Sequence, residues 1–322
     1  MTGADPRKVL VIKTGALGDV VLAMTPLKRI REAHPDAEIT VLTTKPFAAL
    51  FAASPWADKV DDDGRPKSLA GQLGLVGRLR RAGYDRIYDL QYNDRTAFLH
   101  LMLWPNRPDW NGIAPGARLP HRNPNWRSLH ALERHVEQLE HAGIWPDAPR
   151  GPGSAPAPDL SFLVDSPRPD LTPEYFGLER PYALLVPGGS AHRPGKRWPV
   201  EHYAAAADSL RGEGLDVAVI GGPIETPLAA LIPAATDLTG RTDFAQIAAL
   251  GARAAVALGN DTGPTHLIAA GGAPTLALFS NDSDPARSAP RGRRVEVLRR
   301  DPLAELSVDT VVSALRTMID RA

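Results

Sequence analysis

Two acids, one lysine and a helix start carry the chemistry open to this sequence. Asp19 closes the run "GALGD", which follows the apolar stretch at residues 9–12. A buried strand gives way to a helix there, so an aspartate either caps the helix or holds an ionised carboxylate at a strand end. The helix N-terminus stabilises the anion and makes Asp19 a weak base. That suffices for a hydroxyl that loses its proton late, as its new bond forms. In the second half, "NDTGPTHLIAAGG" at residues 260–272 runs from a strand into a helix. Its Asp261-Thr262-Gly263 turn offers backbone amides to a phosphate, and Gly263 lets the anion approach without a Cβ in the way. The same residues also read as an ordinary cap and turn, and His266 as either a core histidine or a phosphate neighbour. The loop "PGGSAHRPGKRWP" at residues 187–199 carries Gly188, Gly189, Ser190, His192, Arg193 and Lys196 off another strand. A lysine so placed neutralises a diphosphate leaving group in the transition state, unless it is simply solvated. Glu225 in "GGPIET" either answers the helix dipole or accepts hydrogen bonds from two ribose hydroxyls.

The elements that must position these groups follow an alternating pattern. Strand-like runs at residues 9–12, 38–43 and 85–91 and a helix at 19–34 make up the first half. The second half has strands at 182–188, 216–222, 254–261 and 274–280, with amphipathic segments between them. This is the pattern of parallel sheets covered by helices. Residues 143–173 are too rich in Pro and Gly to continue a helix or central strand and read as an interdomain linker with one short strand at 160–164. The expected architecture is α/β, with domains at 1–165 and 166–322 facing a central cleft and a final helix packing back toward the first domain. Ligands then bind at the carboxyl ends of the strands.

Composition narrows the classes. With 322 residues and 43% hydrophobic content the chain suits two soluble globular domains. Lys+Arg and Asp+Glu balance at 37 each, so no global field draws the protein to nucleic acid. There is no cysteine, which removes disulfides and thiolate metal sites. With no apolar leader, a cytoplasmic location is expected, and any membrane role is peripheral. The acidic runs "DDDG" (61–64) and "DSD" (282–284) read as solvated loops rather than metal sites. The glycine loops do not complete a dinucleotide fingerprint, so NAD is not indicated.

The ordered set "KTGALGDVVLAMTPL", "YDLQYNDR", "PGGSAHRPGKRWP", "GGPIET" and "GNDTGPTHLIAAGGAPTLALF" resembles the ADP-heptose:lipopolysaccharide heptosyltransferases, glycosyltransferase family 9. The resemblance implies a GT-B fold of two Rossmann-like domains and inverting transfer of a heptose or related sugar from an ADP-sugar to a lipopolysaccharide-core or related glycan hydroxyl. It implies Asp19 as base, Lys196 near the diphosphate, Glu225 on the ribose, and the Asp261–Gly263 turn as phosphate loop. It implies no cofactor and no metal, the ADP-sugar being a substrate. The family pattern often has Gly where this chain has Tyr92. Residues 97–135 match nothing residue by residue but hold Arg118, His121, Arg122, Arg127, His130, Arg134 and His135, which read either as a local patch for an anionic glycolipid at the inner membrane surface or as a solvated basic face. Lys13, Gly18, Arg95, Arg118 and Arg122 are the expected acceptor contacts. A two-domain nucleotide-sugar epimerase and a non-catalytic sugar-nucleotide-binding protein are the rival readings.

Overall fold

The computed structural model describes residues 5–105, 107–190 and 192–321. The chain divides into two compact units, Met1–Pro156 and Ala157–Ala322.

The first unit contains, in chain order, β1 (Lys8–Ile12), α1 (Leu17–Leu22), α2 (Met24–Ala33), β2 (Glu38–Leu42), α3 (Lys45–Ala52), β3 (Lys59–Asp61), α4 (Leu69–Ala82), β4 (Arg86–Asp89), α5 (Asp94–Met102), β5 (Asp109–Gly112), β6 (Leu119–Pro120) and α6 (Ala131–His141). Its sheet is parallel, in the order β3-β2-β1-β4-β5-β6. Val9 to Ile12 are buried without a break, as expected of a central parallel strand covered on both faces. The register sets Ile12 beside Leu42 and Asp89, so the residues following these three strands share one edge of the sheet. The helix expected at 19–34 is two helices meeting at Ala23. Pro26 has no N–H to donate back to the preceding turn, which interrupts the ladder at this point.

The second unit contains α7 (Ser161–Val164), β7 (Tyr182–Val186), α8 (Val200–Gly212), β8 (Asp216–Val219), α9 (Thr226–Ala229), β9 (Thr236–Asp237), α10 (Phe244–Arg253), β10 (Val256–Asn260), α11 (Gly263–Gly271), β11 (Thr275–Phe279), α12 (Pro285–Ser288), β12 (Val295–Arg299) and α13 (Val308–Asp320). Its parallel sheet has the order β12-β11-β10-β7-β8-β9. Residues 160–164, expected as a strand, form the single turn α7. Asp159 Oδ1 accepts from the Ser161 amide at 3.0 Å and starts the turn, and α7 then packs on α10 within the second unit. The final helix α13 packs on α8 and β10 of its own unit, through a core that includes Trp198, Tyr203, Leu258, Val311 and Leu315. Helices α10 and α11 cross closely: a Cβ on Gly251 would lie 2.7 Å from the Ile268 carbonyl oxygen. This contact fixes the axis of α11, whose N-terminus opens the site described below.

No helix among the described residues is long and apolar enough to cross a membrane.

Candidate active site

Asp19 lies in the first turn of α1 and is half-buried. The N-cap of that helix is Ala16, and no side chain caps it. The capping role open to Asp19 in the sequence is therefore not the one it takes. Its carboxylate makes no hydrogen bond or ion pair among the described residues. Gly15, before it, has φ of +130°, and a Cβ there would meet Phe47 at 2.8 Å, so this turn requires glycine. Gly18 sits in the same first helical turn as Asp19. Lys13, which leaves β1 at the shared strand edge, is buried, and its Nζ donates to the Leu90 carbonyl at 3.0 Å. Burial pulls the Lys13 pKa down, Asp19 and Asp89 pull it up, and Arg134 pulls it down. Lys13 is thus the buried cation that both carboxylates feel. Asp89, fully buried, is raised to about 6 by desolvation, against the Thr96 hydroxyl, the Gln91 and Tyr92 amides and the Lys13 charge.

The expected acceptor residues separate. Arg118 ion-pairs with Asp109 at 2.9 Å. Asp109 is the first residue of β5, and its parallel register with Arg86 places it at the opening edge of the sheet, opposite the edge that carries the Asp19 loop. Arg118 is therefore not assembled with Asp19. Arg122 follows β6 and is exposed, with its amide donating to His141 Nδ1 at 3.2 Å. Arg95 is exposed on α5 and donates to the Pro66 carbonyl at 3.5 Å.

The basic patch also shrinks. His121, His130 and His135 are buried, and desolvation lowers the pKa values of His121 and His135, leaving both neutral near pH 7. These two histidines build structure instead. Tyr92, standing where the family pattern often has Gly, has φ of +56°, the left-handed backbone that glycine takes freely. Its hydroxyl is 2.7 Å from His121 Nδ1, and the Arg134 guanidinium lies 4.6 Å from its ring centroid. The cluster holds in place a conformation that a tyrosine alone would avoid.

In the second unit the loop after β7 and the turn after β10 emerge side by side, because Val186 pairs with Gly259. Lys196 Nζ reaches Asp261 Oδ2 at 2.6 Å, with both side chains nearly buried. Burial alone would raise the Asp261 pKa. The Lys196 ammonium, with His266 and Ser283 close by, reverses this and holds it at about 2. Thr262 occupies the N-cap of α11 without a side-chain cap bond. The amides of Gly263 and Thr265 therefore lack both an intrahelical partner and a side-chain cap. His266 is buried, with Nε2 3.8 Å from Asp261 and Nδ1 unpartnered. Glu225 Oε2 accepts the Gly222 amide at 2.8 Å, and Oε1 accepts nothing among the described residues. A Cβ on Gly188 would come within 2.6 Å of Glu225 Cγ, so that glycine makes room for the acid. The Gly189 carbonyl takes Arg197 Nη2 at 2.6 Å, and Arg193 donates to the Asp282 carbonyl at 3.3 Å. Ser190 and His192 are exposed. Among the described residues no group of three or more His, Asp or Glu is gathered as a metal site. The "DDDG" acids have a structural partner, since Arg78 pairs with both Asp61 and Asp63.

Asn260 is the residue that sequence reading passed over. Fully buried at the end of β10, it accepts from the Trp198 amide (3.1 Å) and the Tyr203 hydroxyl (3.0 Å), and donates to the carbonyls of Pro187 (2.9 Å) and Gly188 (3.1 Å). It ties the glycine loop, the start of α8 and the α11 turn into one piece. The signal was a polar residue ending the otherwise apolar strand "VALGN". Asn260→Ala orphans several buried groups at once. The expected loss is at least about 3 kcal/mol, read as a melting-temperature fall of about 6–12 °C.

The family model for glycosyltransferase family 9 (heptosyltransferase) matches residues 73–311. Lipopolysaccharide heptosyltransferase 2 of Salmonella typhimurium is 27% identical over 316 residues, covering 91% of this chain and 88% of that protein. The structure of E. coli ADP-heptose lps heptosyltransferase II superposes with a TM-score of 0.78 at 23% identity, covering 98% of this chain and 99% of that one. The E. coli heptosyltransferase WaaC with ADP-2-deoxy-2-fluoro heptose gives 0.70 at 20% identity, with 96% and 99% covered. With two parallel six-stranded sheets, the fold is that of the GT-B heptosyltransferases. The match to the family model over most of its length makes this chain a member of glycosyltransferase family 9, and a glycosyltransferase.

Proposed function

We propose that this enzyme transfers a heptose, or a closely related sugar, from an ADP-sugar to a hydroxyl of a lipid-linked lipopolysaccharide core, with inversion at the anomeric carbon. The reaction takes place at the cytoplasmic face of the inner membrane. The second unit holds the donor. Glu225 Oε1 accepts the ribose hydroxyls, and the uncapped amides of α11 together with Lys196 meet the diphosphate. The ammonium has three donors and gives one to Asp261, so the others face the ligand while the carboxylate stays compensated. The acceptor oxygen attacks C1 as the C1–O bond to ADP breaks, and its proton passes to Asp19. The negative charge leaves with ADP.

The observation that carries this reading is the Lys196–Asp261 pair set at an uncapped helix N-terminus, in a chain whose fold resembles that of a protein named as an ADP-heptose enzyme. A melting panel of ADP-, GDP- and UDP-sugars tests it, because a ligand bound only by the folded state raises the melting temperature. ADP-heptose alone should stabilise, and the anomeric proton coupling of the product should report inversion. Selective stabilisation by a UDP- or GDP-sugar, or retained configuration, overturns the assignment.

A further inference from the structure

The exposed apolar side chains of the first unit are not scattered. Leu69 (72% exposed) and Leu73 (53%) lie one turn apart on α4, Phe98 (53%) and Leu101 (57%) lie one turn apart on α5, and Trp104 (64%) follows α5 directly. The two helices are neighbours, since Arg80 of α4 donates to the carbonyls of Met102 and Trp104 at 2.7 and 2.9 Å. Between them opens a small, largely apolar pocket of about 50 Å³, lined among others by Leu75, Val76, Phe98 and Leu99. Ile12 and Thr14 also line it, so it reaches the strand edge and the loop that carry Asp19.

Charge singles out what covers this face. Residues 64–82 contain Arg65, Lys67, Arg78, Arg80 and Arg81 and no acid. Arg78 is taken by Asp61 and Asp63, while Arg65, Lys67, Arg80 and Arg81 are exposed with no carboxylate partner among the described residues. Helix α5 adds Arg95 against the single acid Asp94. Protein interfaces pair an apolar centre with a polar rim and also favour Trp and Arg, so what sets this face apart is a border of one sign without carboxylate partners. An apolar stripe with an exposed Trp, bordered by unpaired Arg and Lys, is the composition of a surface seated in the headgroup region of an anionic bilayer.

We propose that the α4–α5 face is the membrane-docking surface of the enzyme. Leu69, Leu73, Phe98, Leu101 and Trp104 enter the interface, and Arg65, Lys67, Arg80 and Arg81 pair with lipid phosphates. The pocket between the helices then presents an apolar path from the bilayer to the Asp19 loop. This inference rests on the proposed lipid-linked acceptor, but its test is read without donor or acceptor.

The test is flotation of the full chain with vesicles of equal phosphatidylglycerol and phosphatidylethanolamine, and separately with phosphatidylcholine vesicles. The wild type should float with the anionic vesicles, weakly with phosphatidylcholine, and less as salt is raised. Leu73→Gln with Phe98→Gln and Leu101→Gln should reduce flotation at least about tenfold, as should Lys67→Glu with Arg81→Glu. All five positions are exposed, so melting temperature and transfer to a delipidated, soluble acceptor should stay at wild-type values. Absence of wild-type flotation, or equal flotation of both variants, overturns the proposal. A wild-type dimer that the triple variant dissociates, without lipid binding, overturns it in favour of self-association. Loss of ADP-heptose transfer to soluble acceptor by the wild type would instead remove the functional reading and leave the vesicle result standing.

Discussion

Asp19→Ala is expected to lower turnover by about 10²–10⁴-fold while leaving the affinity for ADP within about twofold. The structure makes this a clean substitution. Asp19 neither caps α1 nor bonds to any described side chain, so folding loses only the attraction of one carboxylate for a helix N-terminus, about 0.3–1 kcal/mol. The donor groups belong to the other unit's sequence, which is why ADP binding, measured by calorimetry, should survive. The substitution does remove one of the two carboxylates felt by Lys13. Asp19→Asn keeps the shape and separates the loss of the base from any change in the loop. Wild-type ADP release from either variant, with acceptor present, would take the proton-acceptor role away from Asp19.

What the sequence made legible was set by burial. β1, β2, β4, β7, β8, β10 and β11 announce themselves because central parallel strands are apolar on both faces. The strands at the sheet edges, and β5 beside one of them, do not. "KVD", "DWNG" and "LP" are too short and too polar to stand out, and β12 is only partly buried. The break at Ala23 was hidden because both halves of the pattern keep the same apolar face, while the proline responsible stands beyond the break. At the site, residue types that follow a strand and open a helix could be found by order along the chain. Their partners could not. Nothing in "GKRW" shows that Lys196 ends on Asp261, and nothing in a run of His and Arg shows that His121 and His135 are buried and uncharged. Arg118 is set apart from the Asp19 loop because a linear patch ignores register: it precedes β6 and pairs with Asp109 at the start of β5, whereas Arg122 follows β6. Tyr92 shows the converse. A departure from the family pattern kept the backbone that the pattern's glycine would take and added a side-chain cluster to hold it.

Lys196→Met should separate the two duties assigned to that lysine. Turnover is expected to fall by about 10³-fold, because the departing diphosphate loses the ammonium that compensates its charge. Stability should fall as well, by about 2–4 kcal/mol, since a nearly buried Asp261 is left without its ion-pair partner. The pH dependence gives the sign. In the wild type Asp261 is held at about 2, below the 3.8 of a free aspartate. Its contribution is therefore present in full above pH 3.8 and is lost as the pH falls through 2, about 2 kcal/mol across that window. Without Lys196, His266 and Ser283 remain but burial gains ground. The acid limb of the stability profile should then move to higher pH. Adding Asp261→Asn to Lys196→Met removes the stranded charge, so the double variant should recover most of the melting temperature and keep the kinetic defect. Recovery of turnover along with stability would mean that Lys196 only positions the α11 turn, and the charge compensation would have to come from the helix amides alone.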